Sequence, residues 1–160
     1  MNMERNSGFT LVEVIAVFVV LTIVTMVVAS FLLDYRADLT ARTGVIKSHL
    51  CYAQSRAMNS SVIWGIVFAG STYSLYRDKD GDNIVDNDEK VRLPAEDSDA
   101  VALPSGMTVS GAGIVSFDSW GSPFTDAAAQ TPQSGARTIT VSMGSDTSNL
   151  RIIPNTGFIW

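Results

Sequence analysis

The chain is poor in the residues from which most reactive sites are built. Its 160 residues include one cysteine, Cys51, and one histidine, His49. A single cysteine excludes an intrachain disulfide and any thiolate-cluster zinc site. Cys51 and His49 lie two apart in a helical stretch and therefore do not face each other, so they form no nucleophile–base pair and read as structural. There is no Lys/Arg cluster, and the net charge is −5. A nucleic-acid partner would require a basic face, so none is expected. A nucleophile elbow, a phosphate loop and a dinucleotide fingerprint are all lacking, and no acid/base pair stands outside one acidic loop. The chain does not read as an enzyme.

Hydrophobicity is present in quantity, but it is unevenly placed. Phe9 to Leu33 form a 25-residue block whose only polar members are Thr10, Glu13, Thr22, Thr25 and Ser30. As a helix, at ~1.5 Å per residue, it is ~37 Å long, enough to cross a bilayer core of about 30 Å with some tilt. A cleaved secretory signal has a shorter apolar run followed by a small-residue site, and neither is found here, so the span is expected to stay in the mature chain. Glu13 is its one carboxylate, and such a charge normally has a function. Arg5 flanks the segment on one side and Arg36, Arg42 and Lys47 on the other. Taken alone, that distribution opposes export of the C-terminal part.

The stretch S-G-F-T-L-V-E-V-I resembles the processing signature of type IV prepilins and pseudopilins. In that family a short leader ends in Gly, a membrane prepilin peptidase cuts after it and methylates the new N-terminus, and Glu is the fifth mature residue. The resemblance implies a cleaved leader at 1–8, with Gly8 before the cut, Phe9 as the methylated terminus and Glu13 as that fifth residue. The leader departs slightly from the pattern, because Glu4 offsets Arg5. The resemblance also gives Glu13 a physical account. Near a helix end a lone carboxylate costs about 1–3 kcal/mol in a membrane. Paired with the Phe9 amine of an axially offset neighbour, it gains roughly 4 kcal/mol at a separation of ~4 Å and an effective dielectric of ~20. Glu13 would then set register on assembly. A side chain that simply reaches the headgroups is the alternative.

Past a transmembrane or assembly helix at 9–33, the spacing predicts an amphipathic stalk helix over 34–60. Tyr35, Leu39, Ile46, Leu50, Ala53 and Ala57 recur on one side, and Asn59-Ser60-Ser61 marks its end. Gly44 weakens it locally. From 61 to 160 the period changes to short runs with turn signals: 62–69, 72–77, 90–94, 106–110, 113–118, 137–143 and 149–154. This predicts an α+β fold, a long N-terminal helix packed on an antiparallel β-sheet or small β-sandwich, with 125–136 as a surface loop. Trp64, Trp120 and Trp160 read as core or interface residues. The order of parts resembles pilin-like subunits. F-D-S-W-G-S-P, T-I-T-V-S and R-I-I-P-N-T-G-F-I resemble the GspH/FimT group of minor pseudopilins and minor pilins.

One stretch carries metal-type spacing. Within residues 78–89 stand six of the 16 acidic residues. Their phasing matches a calcium loop of EF-hand type: Asp78, Asp80, Asp82, the Ile84 carbonyl, Asp86 and Glu89 at positions 1, 3, 5, 7, 9 and 12. Asn83 takes the place of the usual Gly, and Asn tolerates the left-handed conformation. The flanks read as strands, which predicts a structural Ca²⁺ loop within a β-hairpin; a solvated acidic turn is the alternative. Two readings result. In the first, implied by the resemblance, the chain is a structural subunit, of the minor kind, in a type IV pilus or type II secretion pseudopilus. Its partners would be prepilin peptidase, other pilin or pseudopilin subunits and inner-membrane lipid, with the C-terminal domain in the periplasm. In the second it is an uncleaved, membrane-anchored periplasmic calcium-binding module.

Overall fold

The computed structural model describes residues 10–160, without the side chains of 30–35. The leader, Gly8 and Phe9 therefore lie outside the described residues, as does the side chain of Tyr35. The chain divides into two units, Met1–Ala37 and Asp38–Trp160. Among the described residues the fold is α+β: one helix, α1 (Leu11–Met58), followed by nine strands in antiparallel sheets.

Thr10 caps α1. Its backbone carbonyl accepts from the amides of Glu13 and Val14, and its hydroxyl also accepts from Glu13 N–H at 3.3 Å. Within the first unit the Leu11–Ala29 stretch is long and apolar enough to cross a membrane, and none of it is buried. Its threonines do not offer free hydroxyls. Thr22 Oγ1 donates to the Phe18 carbonyl (2.7 Å) and Thr25 Oγ1 to that of Leu21 (2.5 Å). In an apolar surrounding such internal bonds satisfy groups that lipid cannot.

In the second unit the helix buries Leu39, Thr43, Ile46, Leu50, Ala53 and Ala57. The spacing of four and three residues is that of one helical face. Thr43 is the polar member that apolar periodicity does not reveal, and its hydroxyl donates to the Leu39 carbonyl at 2.8 Å. Past Met58, Asn59 Nδ2 and Ser60 Oγ bond back to the carbonyls of Ser55 and Arg56, which stops the helix where the polar triplet predicts. Ser60 Oγ also accepts from Trp64 Nε1.

The strands are β1 (Trp64–Ala69), β2 (Thr72–Arg77), β3 (Lys90–Val91), β4 (Val101–Ala102), β5 (Met107–Ser110), β6 (Ile114–Phe117), β7 (Pro123–Phe124), β8 (Arg137–Met143) and β9 (Asp146–Ile152). One sheet runs β3-β2-β1-β6-β7, with β4 also paired to β2; the other runs β5-β8-β9. Side chains from both sheets join the helix stripe in one core, with Ile66, Leu75, Val115 and Phe117 from the first sheet and Ile139, Val141, Leu150 and Ile152 from the second. Arg137 ties the two sheets together: Nε donates to the Gly111 carbonyl and Nη1 to that of Ile114 in β6. The 125–136 stretch, expected at the surface, is partly inside. Ala127 and Gln133 are buried, because Tyr76 Oη donates to the Ala127 carbonyl and Gln133 Nε2 to that of Ile152.

His49 is a core residue. It is 7% exposed, and its Nδ1 lies 2.9 Å from Tyr73 Oη. Burial lowers its pKa below 6.5, and the charge of Glu96 opposes that only in part. Cys51, two residues on, is exposed.

Two glycines should respond oppositely to alanine. Nothing lies within 4 Å of a Cβ built on Gly44, so Gly44→Ala should stabilise by about 1 kcal/mol through helix propensity. At Gly65 the same atom falls 2.6 Å from both Tyr76 Oη and the Val115 carbonyl oxygen. Gly65→Ala should cost about 1–3 kcal/mol. Denaturant unfolding of the detergent-solubilised chain, followed by tryptophan fluorescence, measures both. The histidine gives a pH dependence. Its folded pKa is depressed, so below pH 6.5 the unfolded chain takes up a proton that the fold refuses. Stability should therefore fall as pH drops from 6.5 towards the folded value, and His49→Gln should remove that component of the slope in melts at stepped pH.

Candidate functional site

Two regions carry candidate residues. The first is the start of α1. Glu13 is the acidic residue of the first turn and is exposed. With Thr10 as cap it occupies the third helical position, the T-x-x-E spacing of a capping box. The sequence reading missed this signal, although the four letters display it. A carboxylate here meets the positive end of the helix dipole, worth about 0.3–1 kcal/mol at an exposed position. Local helix chemistry thus favours Glu13 at this position. Over Leu11–Ala29 it is the only charged residue.

The second region is the 78–89 loop. It joins β2 to β3, which pair antiparallel with Tyr76 opposite Lys90 and Leu75 opposite Val91. The loop lies inside a hairpin, as its flanks predict. Asp78 and Glu89 are buried at its two ends. Asp78 Oδ1 accepts from the amides of Asp80 (3.2 Å) and Gly81 (2.7 Å). Asp80 Oδ1 accepts from Asp82 N–H, and Asp82 Oδ1 from Ile84 N–H. Glu89 closes the loop, with Oε1 taking the Lys79 amide at 2.6 Å and Oε2 the Asp86 amide at 3.2 Å. Short acidic side chains that bond their own backbone two or three residues on fold such a loop locally.

Of the five expected carboxylate ligands the structure brings three together. Carboxylate oxygens of Asp78, Asp80 and Glu89 lie within 4.8 Å of one another. The carboxylates of Asp82 and Asp86 are not in that group. Asp88, outside the expected set, pairs with Lys79 Nζ at 2.9 Å, and the lysine holds its carboxyl below the usual range. Three convergent oxygens suit a hard cation, which would draw its remaining ligands from backbone carbonyls and water.

Asn83 takes φ 68°, the left-handed region that its type tolerates. Its side chain has a use that spacing does not disclose: Oδ1 accepts from Ala127 N–H (2.8 Å) and Ala128 N–H (3.2 Å). Ser116 Oγ holds the adjacent Asp126 carbonyl at 2.6 Å. The acidic loop is thereby fastened to a segment more than 40 residues away in sequence.

Comparison with protein families gives one finding. Residues 3–29 match the family model described as the prokaryotic N-terminal methylation motif. The match takes in residues 3–8, Glu13 and the apolar stretch as far as residue 29, and does not reach the β domain. Neither the curated proteins nor the solved structures give a match.

Proposed function

We propose that this chain is a type IV pilin-like subunit, made with a leader at 1–8, cut between Gly8 and Phe9 by prepilin peptidase, N-methylated on Phe9 and assembled through its N-terminal helix. The observation that carries this reading is the coincidence of the methylation motif at 3–29 with an unburied, membrane-length stretch, Leu11–Ala29, whose only charge is Glu13. Before assembly the helix sits in the inner membrane with the β domain in the periplasm, and processing overrides the basic residues that follow the span. In the assembled form Glu13 meets the Phe9 amine of a neighbour. The glycine-punctuated strands of the C-terminal part favour a minor subunit of the GspH/FimT group, in a pilus or a secretion pseudopilus. The role is structural, not enzymatic.

The acidic loop supports an additional element: one Ca²⁺ held by Asp78, Asp80 and Glu89 as a staple of the β2–β3 hairpin. The observation favouring it is their convergence within 4.8 Å. Without processing, the same loop would make the chain an anchored calcium-binding module.

Intact mass and N-terminal sequencing of the protein from its native membrane decide between the two. The expected product begins at N-methylated Phe9, and Glu13→Ala should be processed normally yet fail to enter filaments. A chain that still starts at Met1 where the peptidase is active sinks the subunit reading. For the loop, Ca²⁺ at about ten times its dissociation constant should add about 1.4 kcal/mol to stability. Asp80→Asn should abolish that gain, and a melt unchanged by calcium or chelator would dismiss the metal.

A further inference from the structure

Two surface features of the Asp38–Trp160 unit are unused by the function proposed above. The first is aromatic. Trp120 is 84% exposed, Phe158 62% and Trp160 55%. Large aromatics grouped on a surface mark interaction sites. The turns that bear Trp120 and Phe158 are in contact, since a Cβ on Gly157 would collide with the Gly121 carbonyl oxygen. Gln54 Nε2 fastens both turns to the helix, donating to the carbonyls of Gly121 (2.9 Å) and Thr156 (3.0 Å). Phe158 and Trp160 flank buried Ile159, which bridges to Ile152 on β9, so the two aromatics share the outer face. Arg151 lies over the Trp160 ring at 5.7 Å. The patch is a pre-organised set of aromatic anchors beside a cation, the residue types that dominate binding hot spots.

The second feature is the tip of the acidic loop, where Ile84 is an exposed aliphatic side chain with Asp82 and Asp86 two residues to either side in sequence, Asp88 being paired with Lys79. Asp82 and Asp86 stand outside the convergent group. Charge is strongly divided across the unit. Residues 78–99 carry nine Asp/Glu against three Lys/Arg, whereas the rest of 38–160 carries four against six. The aromatic patch carries Arg151 over Trp160, and also Asp118, whose Oδ1 is taken up by the Trp120 and Ser122 amides, so the arginine is its outward charge. The apolar knob with an acidic rim complements it in both polarity and charge.

The geometry points to a self-association surface, in which the acidic loop of one copy seats Ile84 against Trp120, Phe158 and Trp160 of a second copy while its aspartates face Arg151. Such a contact joins two different patches and lets copies link in succession. It does not depend on leader processing, so the uncut chain suffices to test it.

The test uses two full-length, detergent-solubilised variants of distinguishable mass on a Cys51→Ser background. One carries Ile84→Cys, the other Phe158→Cys. The two are mixed under mild oxidation, and the mixed disulfide between the two introduced thiols is scored. The reference replaces the second variant with Ser145→Cys, an exposed site at the β8–β9 turn, the end of that hairpin remote from Arg151. The disulfide formed by the Ile84→Cys and Phe158→Cys chains should exceed the reference about tenfold, the yield ratio of a 1.4 kcal/mol preference. Adding Arg151→Glu to the Phe158→Cys chain should lower it about threefold, in the range of a single exposed ion pair, and Asp86→Arg in the other chain should restore it. Should Arg151→Glu disturb the near-ultraviolet circular dichroism, salt at about 0.5 M, where the screening length is ~4 Å, replaces it and should lower the yield in the same way. A yield from the Ile84→Cys and Phe158→Cys pair no higher than the reference overturns the proposal and leaves the patch to a different partner. A yield indifferent to both charge reversal and salt overturns it as well.

Discussion

The β domain depends on burial of a single helix face. Its two sheets do not share a ladder, and what they have in common is the apolar stripe from Leu39 to Ala57 on which both pack. Small residues at positions 53 and 57 and large ones at 39, 46 and 50 give that stripe its shape. Close packing of this kind leaves little tolerance. It forces position 65 to be glycine, with Tyr76 and the β6 backbone already occupying the space of a side chain. It also lowers the pKa of the chain's one histidine, whose Nδ1 lies 2.9 Å from Tyr73 Oη.

Much of this was legible in the sequence, because periodicity records burial. The stripe at 39, 46, 50, 53 and 57 was readable as apolar spacing, and β2 and β8 were readable to the residue as alternating runs bounded by turns. Strands β4 and β7, two residues each, are too short to show any period and escaped notice. Thr43 escaped for another reason: its burial depends on a bond to its own helix, which apolar counting ignores. Nor could local pattern separate Trp64, buried against the end of the helix, from Trp120, almost wholly exposed. That difference arises from which turn each residue sits in after the sheets have formed.

The acidic loop illustrates the same division. Asp78, Asp80 and Glu89 were singled out by spacing alone, and they meet because Asx turns and the Glu89 carboxylate fold the loop on itself. The left-handed turn at Asn83 was likewise predictable from residue type. Its grip on Ala127 and Ala128 was not, since that is a contact between segments distant in the chain. The loop is therefore part of the sheet's edge structure, and its conformation is coupled through Asn83 and Tyr76 to the segment after β7.

The threonines of the apolar helix have a consequence for how that helix can be exchanged between surroundings. Thr22 and Thr25 spend their hydroxyl protons on the backbone one turn earlier, so the flank of the rod offers neighbours no hydrogen-bond donor at those positions. Lipid and protein are then nearly equivalent neighbours on its sides, and a lateral change of company breaks no polar contact there. The carboxylate sits only at one end. The described span is thus apolar along its sides and charged only near its start, a combination that lets its flanks pass between two apolar surroundings while one end keeps a polar address.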